Sequence, residues 1–557
     1  MGNSVQHLLE PIDQRGADDQ GPRSATTGSV GDVAWRFLLP TPPEGSFRHL
    51  VLLGGSEEVA RRIVEMGVAR KVSRELPKAP VADAVVRLHD AAVGLEEAGR
   101  CLAPGGVLYG EIDRSPRLGT PTPARIRRSL ERAGLTQTAA YWCVDFAQRH
   151  AYLPLAAPGA VGWYFARQSG TSTLVRDASK AAFAEMTRLG RSFCAAAALN
   201  YVVTASAAPQ AHAQPSLLSH PDLSPLLRGS DLHLLVLAPP GRRVILLPFT
   251  SGDRSPAVVL KVARLPQQSN DTEREQEVLA AVHAEVDQAL RKTLPRPHGC
   301  VTWAEYTVGI ESAVDGQVLS APRLGARLSR TRNIDDLRHV AAWLTNFHAQ
   351  TELHRVQWGD SSFSHSLEVV LSEFERVFPV NGEVSSLFSA VRRRSDELAN
   401  ADIPLVWLHG DLAENNVFHS GKDILVIDWA TGRRGLPLRD LVNFATHWHS
   451  HVRGSKDRSA RVRDMQDLFL DPQATDPLVH ATQHEIERYL AALRIDRRFV
   501  PVLVVLHWAS MATERFNTIQ RAEERGERRK RGAYAGLAVQ YVGALADRPE
   551  QLFHRWN

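Results

Sequence analysis

The first part of the chain alternates short apolar runs with segments of helical periodicity. Residues 49–53, 82–88 and 107–112 are apolar runs of strand length, and residues 57–66 repeat apolar side chains at helical spacing. Strands that alternate with helices are typical of a parallel sheet covered by helices. The pattern therefore predicts an α/β domain, which we place at residues 33–170.

Apolar runs of strand length recur after residue 229, but short turns join them. From residue 334 onward the pattern is mainly that of amphipathic helices. The sequence therefore predicts a second domain of α+β type at residues 229–557, with a strand-rich lobe at 229–313 and a helical lobe at 314–557. The three runs expected to form an antiparallel meander are residues 232–237, 244–249 and 257–263.

Two regions lack the pattern of a folded domain. Residues 1–32 contain scattered polar residues and glycine without periodicity, so we expect a disordered tail. Residues 171–228 begin with an Ala-rich, helix-compatible stretch and continue with Pro, Gln, His and Ser. We expect a helix followed by a linker there.

Composition narrows the class of protein. Charged residues make up 23% and hydrophobic residues 43% of the 557 residues, the balance of a soluble globular chain. The formal net charge is only +4, so nucleic acid is not an expected partner. Since no apolar stretch reaches about 18 residues and no signal core is evident, we expect no membrane partner. The 4 cysteines are isolated, which favours a reducing compartment and a cytoplasmic protein.

The candidate chemistry lies in a polar loop between apolar runs at residues 405–408 and 424–427. Asp411, Asn416 and Asp428 supply oxygen atoms of the kind that Mg²⁺ takes as ligands beside phosphate oxygens. The flanking runs have strand length, and we expect them to pair with each other or to be strand ends. The segment therefore predicts a magnesium-binding loop.

A single charge, Lys261, interrupts the apolar run at residues 257–263. A lysine in a buried strand needs an anionic partner. Glu275 lies in the next helical segment at a suitable position, although Glu273 and Glu277 compete for the pairing. Such an ion pair together with a magnesium loop provides the parts that phosphoryl transfer needs.

Four short motifs resemble one group of enzymes. HGDLAENN (residues 409–416) and VIDW (426–429) resemble the catalytic and metal loops of the aminoglycoside phosphotransferase and choline kinase family. VAAWLTNFHAQ (340–350) is similar to the helix before the catalytic loop, and PLRDLVNF (437–444) to the aspartate-bearing segment after the metal loop. The resemblance covers roughly residues 229–557 and implies a bilobal, protein-kinase-like phosphotransferase domain.

The resemblance also implies a role for each candidate residue. Asp411 would be the catalytic residue that orients or deprotonates the acceptor hydroxyl, and Asn416 and Asp428 would hold Mg²⁺. Lys261, fixed by Glu275, would hold the α- and β-phosphates of ATP.

Three further positions belong to this resemblance. The turn that covers the phosphates in this fold contains one glycine here, Gly241, which we expect to contact the nucleotide. His409 and Asp440 resemble positions that brace the catalytic loop through hydrogen bonds. No GxxxxGK[ST] loop occurs in the sequence, which argues against a P-loop kinase.

A second resemblance concerns residues 33–170. EEAGRCLAPGGVLYGEID and the later RSLERAGL resemble segments of class I S-adenosylmethionine-dependent methyltransferases, which implies a Rossmann-like fold. The glycine loop, Gly54-Gly55-Ser56, lacks the alternating glycines that let a backbone approach the cofactor, and Glu75 is a poorly placed candidate for the ribose. We expect a methyltransferase-like domain that binds no S-adenosylmethionine.

The sequence favours an ATP- and Mg²⁺-dependent phosphotransferase acting on a hydroxyl of a small molecule. A peptide or protein Ser/Thr kinase is an alternative, but such kinases usually have a lysine two residues after the catalytic aspartate, where this chain has Ala413. A pseudokinase scaffold and a bifunctional methyltransferase and kinase are further alternatives. Since residues 453–557 contain slightly more Lys and Arg than Asp and Glu, we expect a neutral or anionic acceptor, not a polycationic aminoglycoside.

Overall fold

The computed structural model shows a mixed α/β protein with two compact units. Of the described residues, those up to 280 and those at 295–315 belong to the first, called here the sheet unit. Those at 281–294 and from 316 onward belong to the second, called the helical unit. The predicted tail, residues 1–32, lies outside the described part of the chain. The structure describes residues 33–40, 45–114, 121–144, 151–167, 198, 200–207, 216–227, 229, 231–239, 243–320, 330–359, 361–420, 423–471, 474–524 and 533–557.

Within its described residues, the sheet unit is built on one 12-stranded sheet. The strand order is β11-β12-β10-β9-β8-β6-β5-β7-β4-β3-β1-β2. The strands are β1 (Phe47–Leu53), β2 (Ala69–Ser73), β3 (Ala82–Arg87), β4 (Leu102–Asp113), β5 (Thr136–Cys143), β6 (Ala151–Pro154), β7 (Asn200–Ser206), β8 (Leu232–Leu237), β9 (Arg243–Thr250), β10 (Val258–Ala263), β11 (Pro297–Trp303) and β12 (Tyr306–Ser312).

One end of this sheet is parallel and alternates with helices. β1 pairs in parallel with β2 and β3, and β3 pairs in parallel with β4, so the predicted α/β alternation is confirmed for these strands. The sequence pattern missed β2, a short strand whose middle residues are exposed. The helices of this part are α1 (Glu57–Glu65), α2 (Leu95–Gly99), α3 (Pro123–Arg132) and α4 (Pro158–Arg167).

Apolar side chains cover both faces of the sheet. Leu50 and Leu52 of β1 pack into one hydrophobic cluster, and Val51 and Leu53 pack into the other. Successive side chains of a strand point to opposite faces, so a strand buried on both faces is an unbroken apolar run. This burial explains why β1 could be recognised from the sequence.

Most of the predicted helix at the start of residues 171–228 lies outside the described residues, and strand β7 corrects the prediction at residues 200–206. Its sequence, NYVVTAS, is rich in β-branched residues, and it pairs antiparallel with both β4 and β5. The prediction was based on the helix propensity of the Ala-rich stretch before this strand. Pairing with neighbouring strands, which suits the Val and Thr side chains, decides the conformation of residues 200–206. The described residues of the later linker include a short 3-10 helix, Ser216–Ser219.

The other end of the sheet is antiparallel. β8 pairs with β9, β9 with β10, and β10 with β12, so the predicted meander is confirmed. β6 also pairs with β8, which carries the sheet continuously past residue 229. The compact units therefore divide the chain at other points than the predicted boundary at residue 229.

The helical unit combines helices with two small sheets in its described residues, ordered β13-β16-β17 and β14-β15-β18. The strands are β13 (Gln317–Val318), β14 (His354–Gln357), β15 (Asp402–Leu408), β16 (Val417–Ser420), β17 (Asp423–Val426) and β18 (Arg433–Gly435). The helices, starting with the one that begins in the sheet unit, are α5 (Asn270–Glu285), α6 (Gln288–Arg291), α7 (Arg330–Gln350), α8 (Ser361–Val377), α9 (Gly382–Glu397), α10 (Arg439–Arg453), α11 (Arg458–Phe469), α12 (Pro477–Ala492), α13 (Phe499–Glu524), α14 (Ala533–Ala546) and α15 (Pro549–Arg555).

The two apolar runs around the polar loop do not pair with each other. β15 pairs with β14 and β18, and β17 pairs with β16. The loop thus connects strands of two different sheets. None of the helices in the described residues combines the length and the apolar character that a membrane span requires.

Candidate active site

Gly410 fixes the turn at the end of β15. It has a φ of +83°, a left-handed conformation that L side chains rarely adopt. A Cβ atom at this position would lie 2.6 Å from the carbonyl oxygen of Thr431, closer than real Cβ atoms approach. A glycine is therefore required between His409 and Asp411.

His409 is fully buried and connects three segments of the site. Its Nε2 lies 2.9 Å from the carbonyl oxygen of Ile427, and its Nδ1 accepts a hydrogen bond of 3.3 Å from the amide of Asp411. These contacts fit a neutral imidazole with the proton on Nε2. The histidine therefore ties the loop that carries Asp411 to the end of the segment before Asp428.

Asp440, also fully buried, holds the same loop from helix α10. Its carboxylate accepts hydrogen bonds from the amides of His409, at 2.7 Å, and Gly410, at 2.9 Å. Burial alone would raise the pKa of Asp440, but the nearby His348 imidazole, whose Nε2 lies 3.7 Å from Oδ2, and the hydrogen bond from the Gly410 amide outweigh it, so the pKa lies below the usual value. Asp440 is thus a carboxylate that braces the loop, as the resemblance implied.

Asp411 and Asn416 are joined directly. The Nδ2 amide of buried Asn416 donates a hydrogen bond of 2.9 Å to the backbone carbonyl of Asp411. Its Oδ1 atom accepts a hydrogen bond of 3.2 Å from Asn415. The side chain of Asn416 is thereby held with an oxygen atom that can also accept a cation.

The side chain of Asp411 is half-exposed, and nearby charges act on it. Loss of hydration raises the pKa of its carboxyl group, and the negative charge of Asp428 adds to this effect. The positive charge of Arg515 is the main effect that opposes this shift, but the net pKa lies above the usual value for an aspartate. The charge of Asp428 therefore acts on the Asp411 carboxyl group.

Asp428 lies two residues beyond the end of β17 and has an unusual backbone conformation. Its φ is +67°, in the left-handed region, and its side chain is exposed. Left-handed aspartates are uncommon, and such conformations concentrate at functional sites. The observation distinguishes Asp428 from an ordinary surface aspartate.

The donor set in this loop fits Mg²⁺. It consists of the amide oxygen of Asn416 and the exposed carboxylate of Asp428, two hard oxygen donors. Mg²⁺ is usually bound by one or two protein carboxylates together with water and substrate phosphates. The described residues contain no cluster of three or more His, Cys, Asp and Glu for a metal enclosed by protein alone. A metal shared with phosphate oxygens is the arrangement that these residues can support.

The sheet unit contains the predicted ion pair. The Nζ atom of Lys261 on β10 lies 2.6 Å from Oε1 of Glu275 on α5, and both side chains are buried. Glu275 also binds the guanidinium of Arg243. Glu275 is thus the partner that the sequence favoured, while the carboxylate of Glu273 accepts a hydrogen bond from the hydroxyl of Thr307.

Sequence reasoning missed a second carboxylate on Lys261. Oε1 of buried Glu311, on β12, lies 3.0 Å from Nζ of Lys261. The sequence contained an indication of this partner, because Glu311 is an acidic residue in a strand-like apolar segment. A charge in such a segment is the same feature that identified Lys261. Arg243 was also missed, and Gly241 lies outside the described residues.

Glu275→Gln should lower the free energy of unfolding by about 3 to 5 kcal/mol. The substitution removes a carboxylate that compensates the positive charges of Lys261 and Arg243 in a buried environment. Burial would raise the pKa of Glu275, but the charges of Lys261 and Arg243 hold it below the usual value, which marks it as a carboxylate. Urea unfolding of the variant measures the loss. Glu277→Gln, which changes an exposed glutamate of the same helix, is the control and should shift stability by less than about 0.5 kcal/mol. Equal effects of the two variants would contradict the prediction.

The comparisons with known proteins support a phosphotransferase. Residues 249–478 match the family APH, described as a phosphotransferase enzyme family. The C-terminal region therefore carries a domain of this family, and the prediction of an ATP-dependent phosphotransferase is confirmed. No curated protein matches the chain.

Several solved structures are similar at low sequence identity. A putative aminoglycoside phosphotransferase from Ralstonia eutropha is 14% identical, with 59% of this chain and 94% of that chain covered and a TM-score of 0.37. Amicoumacin kinase hAmiN, solved with AMP-PNP, Ca²⁺ and its ligand Ami, is 11% identical, with 60% and 95% covered and a TM-score of 0.34. Choline kinase from Cryptosporidium parvum is 12% identical, with 59% and 92% covered and a TM-score of 0.33.

Proposed function

We propose that this protein transfers the γ-phosphoryl group of ATP to a hydroxyl group of a small molecule. The observation that carries the proposal is the braced loop of the helical unit. In this loop the side chain of Asn416 donates a hydrogen bond to the backbone of Asp411, and the backbone carbonyl of Asn416 accepts one of 3.0 Å from the amide of Ile427, the residue before Asp428. A structural turn would not need a buried asparagine and two half-exposed or exposed aspartates in this arrangement.

Asp411 is the residue that meets the acceptor hydroxyl. Its carboxylate is partly accessible, and a raised pKa brings an aspartate closer to the range in which it can take up a proton at neutral pH. His409 and Asp440 act as positioning residues, because they hold the loop through its backbone and not through the carboxylate. The acceptor proton would thus pass to a carboxyl oxygen of Asp411.

Asn416 and Asp428 would hold Mg²⁺. A bound magnesium ion supplies positive charge that neutralises the charge developing on the phosphate oxygens. Asn416 offers an oriented amide oxygen, and Asp428 offers a carboxylate that the left-handed backbone presents at the surface of the loop.

Lys261 would contact the α- and β-phosphates of the nucleotide from the sheet unit. Its ammonium group is fixed between two carboxylates, those of Glu275 and Glu311, so its position is determined before a nucleotide binds. Preorganised charge of this kind is the main contribution of protein to phosphoryl transfer. Gly241 would contact the nucleotide in the turn before Arg243.

A small molecule is the favoured acceptor over a peptide because Ala413 occupies the position of the lysine found in protein kinases. The decisive experiment is a screen of ATP consumption, followed by mass spectrometry of the product, against hydroxylated metabolites, sugars and Ser- or Thr-containing peptides. We expect one or more small hydroxylated molecules to gain a phosphate in a magnesium-dependent reaction. ATP consumption only with peptides would refute the small-molecule assignment, and none with any acceptor would refute the phosphotransferase mechanism.

We further propose that the parallel end of the sheet is a methyltransferase-like domain without cofactor. The parallel order of β2, β1, β3 and β4 and the resemblance of the sequence support the fold. The turn after β1 is already occupied, because the amide of Gly55 donates to the Asp90 carboxylate at 3.0 Å and its carbonyl accepts from Arg74 at 2.6 Å. A Cβ at Gly54 would collide with the Asp90 carboxylate, which shows how closely that side chain covers the turn.

The full-length protein should bind no S-adenosylmethionine at physiological concentration, since the cofactor would have to displace both side chains from the turn. Isothermal titration calorimetry measures this directly. AMP-PNP with Mg²⁺, titrated into the same preparation, serves as the control for folded protein. A dissociation constant for S-adenosylmethionine in the low micromolar range would contradict the prediction and support a bifunctional enzyme.

A further inference from the structure

A cation stands directly beside the proposed base. Nη2 of Arg515, on helix α13, lies 3.9 Å from Oδ1 of Asp411. The side chains are 37% and 48% exposed, respectively, so both can be reached from solvent. An ion pair at this distance between exposed groups contributes little to stability. Arg515 can therefore engage a ligand at Asp411 without a large cost to the fold.

Further charges gather at the same place from other helices. Burial lowers the pKa of the His447 imidazole on α10, and Arg461 of α11 and Arg515 lower it further, while Glu414 and Asp411 oppose the shift. The His447 imidazole is therefore subject to the charges of two guanidinium groups as well as of two carboxylates. By contrast, Glu514, the neighbour of Arg515, binds other partners. These partners are Arg433 and Arg439.

We propose that the acceptor carries an oxyanion, a carboxylate or a phosphate, close to the hydroxyl group that is phosphorylated, and that Arg515 is the residue that recognises it. This inference rests on the proposed function and names its class of substrate. It makes Arg515 a specificity residue of the phosphotransferase, in addition to the catalytic and metal-binding residues.

The distances favour an acceptor in which the two groups are near each other. A hydroxyl in hydrogen-bond contact with Asp411 lies about 3 Å from its carboxylate, and an oxyanion bound by Arg515 lies about 3 Å from the guanidinium. Because Asp411 and Arg515 are themselves only 3.9 Å apart, both contacts can be made by groups on neighbouring carbon atoms. A guanidinium also binds a carboxylate or phosphate through two parallel hydrogen bonds, which gives it an advantage over a lysine.

The charge of Arg515 acts in the opposite direction on a cationic acceptor. An ammonium group placed beside the hydroxyl would meet the guanidinium at close range, and like charges at an interface reduce affinity. The site therefore selects for negative charge next to the reacting hydroxyl.

Matched acceptors of one size provide the test. Glycerol, glycerate, glycerol 3-phosphate and 2-amino-1,3-propanediol form a three-carbon series of neutral, anionic and cationic members, and glucose, gluconate and glucosamine form a six-carbon series. We expect the anionic members to have kcat/KM values at least about tenfold above the neutral ones, the scale of a hydrogen bond to a charged group. The carboxylate and phosphate members show which oxyanion is preferred.

Variants of Arg515 separate recognition from a structural role. Arg515→Met should lower the ratio of kcat/KM for anionic acceptors to kcat/KM for neutral acceptors to about one, whereas Arg515→Lys should retain part of the advantage. The ratio is the readout, because loss of the Arg515 charge also raises the pKa of Asp411 and so affects all acceptors. Arg521→Met, an exposed arginine of the same helix, is the control and should have no effect. Affinity for AMP-PNP should be the same in all variants.

The possible failures are distinguishable. Preference for neutral or cationic members, or an equal loss for all acceptors in Arg515→Met, would overturn the inference and leave the proposed phosphotransferase intact. The second result would show that Arg515 acts on the transferred phosphoryl group. If no hydroxylated acceptor of either series or of the wider screen were phosphorylated, the proposed function and the inference would both be refuted.

Discussion

Asp411→Asn lowers turnover by at least about a hundredfold and leaves the affinity for nucleotide unchanged. Asparagine has the size of aspartate but cannot accept a proton from the acceptor, and loss of a positioned general base costs about 10² to 10⁴ in rate. The nucleotide is spared because its phosphates are assigned to Lys261 and the metal. Single-turnover rates with a true acceptor and AMP-PNP titration measure the two quantities separately.

The pH dependence provides a second measurement of the same assignment. Loss of hydration and the charge of Asp428 raise the pKa of Asp411 above its usual value. A base acts only when it is deprotonated, so the rate of the wild-type protein should fall as the pH decreases through this raised pKa. In Asp411→Asn that acidic limb should be absent from the residual rate.

Asp423→Asn is a matched control, because Asp423 is an exposed aspartate at the start of β17 in the same unit. It should leave turnover within about twofold of the wild type. If Asp411→Asn kept wild-type turnover, or if both variants lost it equally, Asp411 would not be the base.

The sequence could predict those features that depend on local pattern. Strands buried on both faces were recognised within a few residues, because β1 contains an unbroken apolar run and β10 an apolar run with a single charge. Lys261 was identified because a charge in such a run requires a partner, and Glu275 is indeed bound to it. Loop residues such as Asp411 and Asn416 were identified because their types and spacing match the chemistry of phosphate and Mg²⁺.

Features that depend on distant partners could not be predicted. β14 (HRVQ) and β18 (RRG) have no strand pattern of their own and exist because β15 lies between them. The same reason explains why the sequence left open whether the apolar runs around the loop pair with each other or are strand ends. Pairing is a tertiary property, and a one-sequence pattern contains no record of it.

The charged partners of the site residues also depend on tertiary structure and could not be predicted from the sequence pattern. The side chain of Glu311 is brought to Lys261 only by the antiparallel pairing of β10 and β12. Arg515 lies 104 positions after Asp411 in the chain and reaches it from α13. A net count of charges over residues 453–557 suggested an acceptor that is not cationic, but the structure identifies which cation is in contact with the proposed base.

Asp428→Asn should lower phosphoryl transfer by at least about a thousandfold through weaker metal binding. A metal ion contributes several kcal/mol of charge stabilisation to such a transition state, and each 1.36 kcal/mol is a factor of ten in rate. Unlike Asp411→Asn, this variant should also bind AMP-PNP more weakly, and its nucleotide affinity should depend less steeply on the Mg²⁺ concentration.

Asparagine is the suitable replacement for Asp428 because of the backbone conformation at this position. Asp428 has a φ of +67°, and asparagine is among the residues that tolerate this left-handed conformation, so the variant should keep the thermal unfolding midpoint of the wild type. Alanine lacks that tolerance, and Asp428→Ala would combine loss of the ligand with backbone strain of about 1 to 2 kcal/mol. Nucleotide titrations at several Mg²⁺ concentrations, with Asp423→Asn as the control, distinguish the metal effect from misfolding. Wild-type magnesium dependence in a stably folded Asp428→Asn protein would show that Asp428 is not a metal ligand.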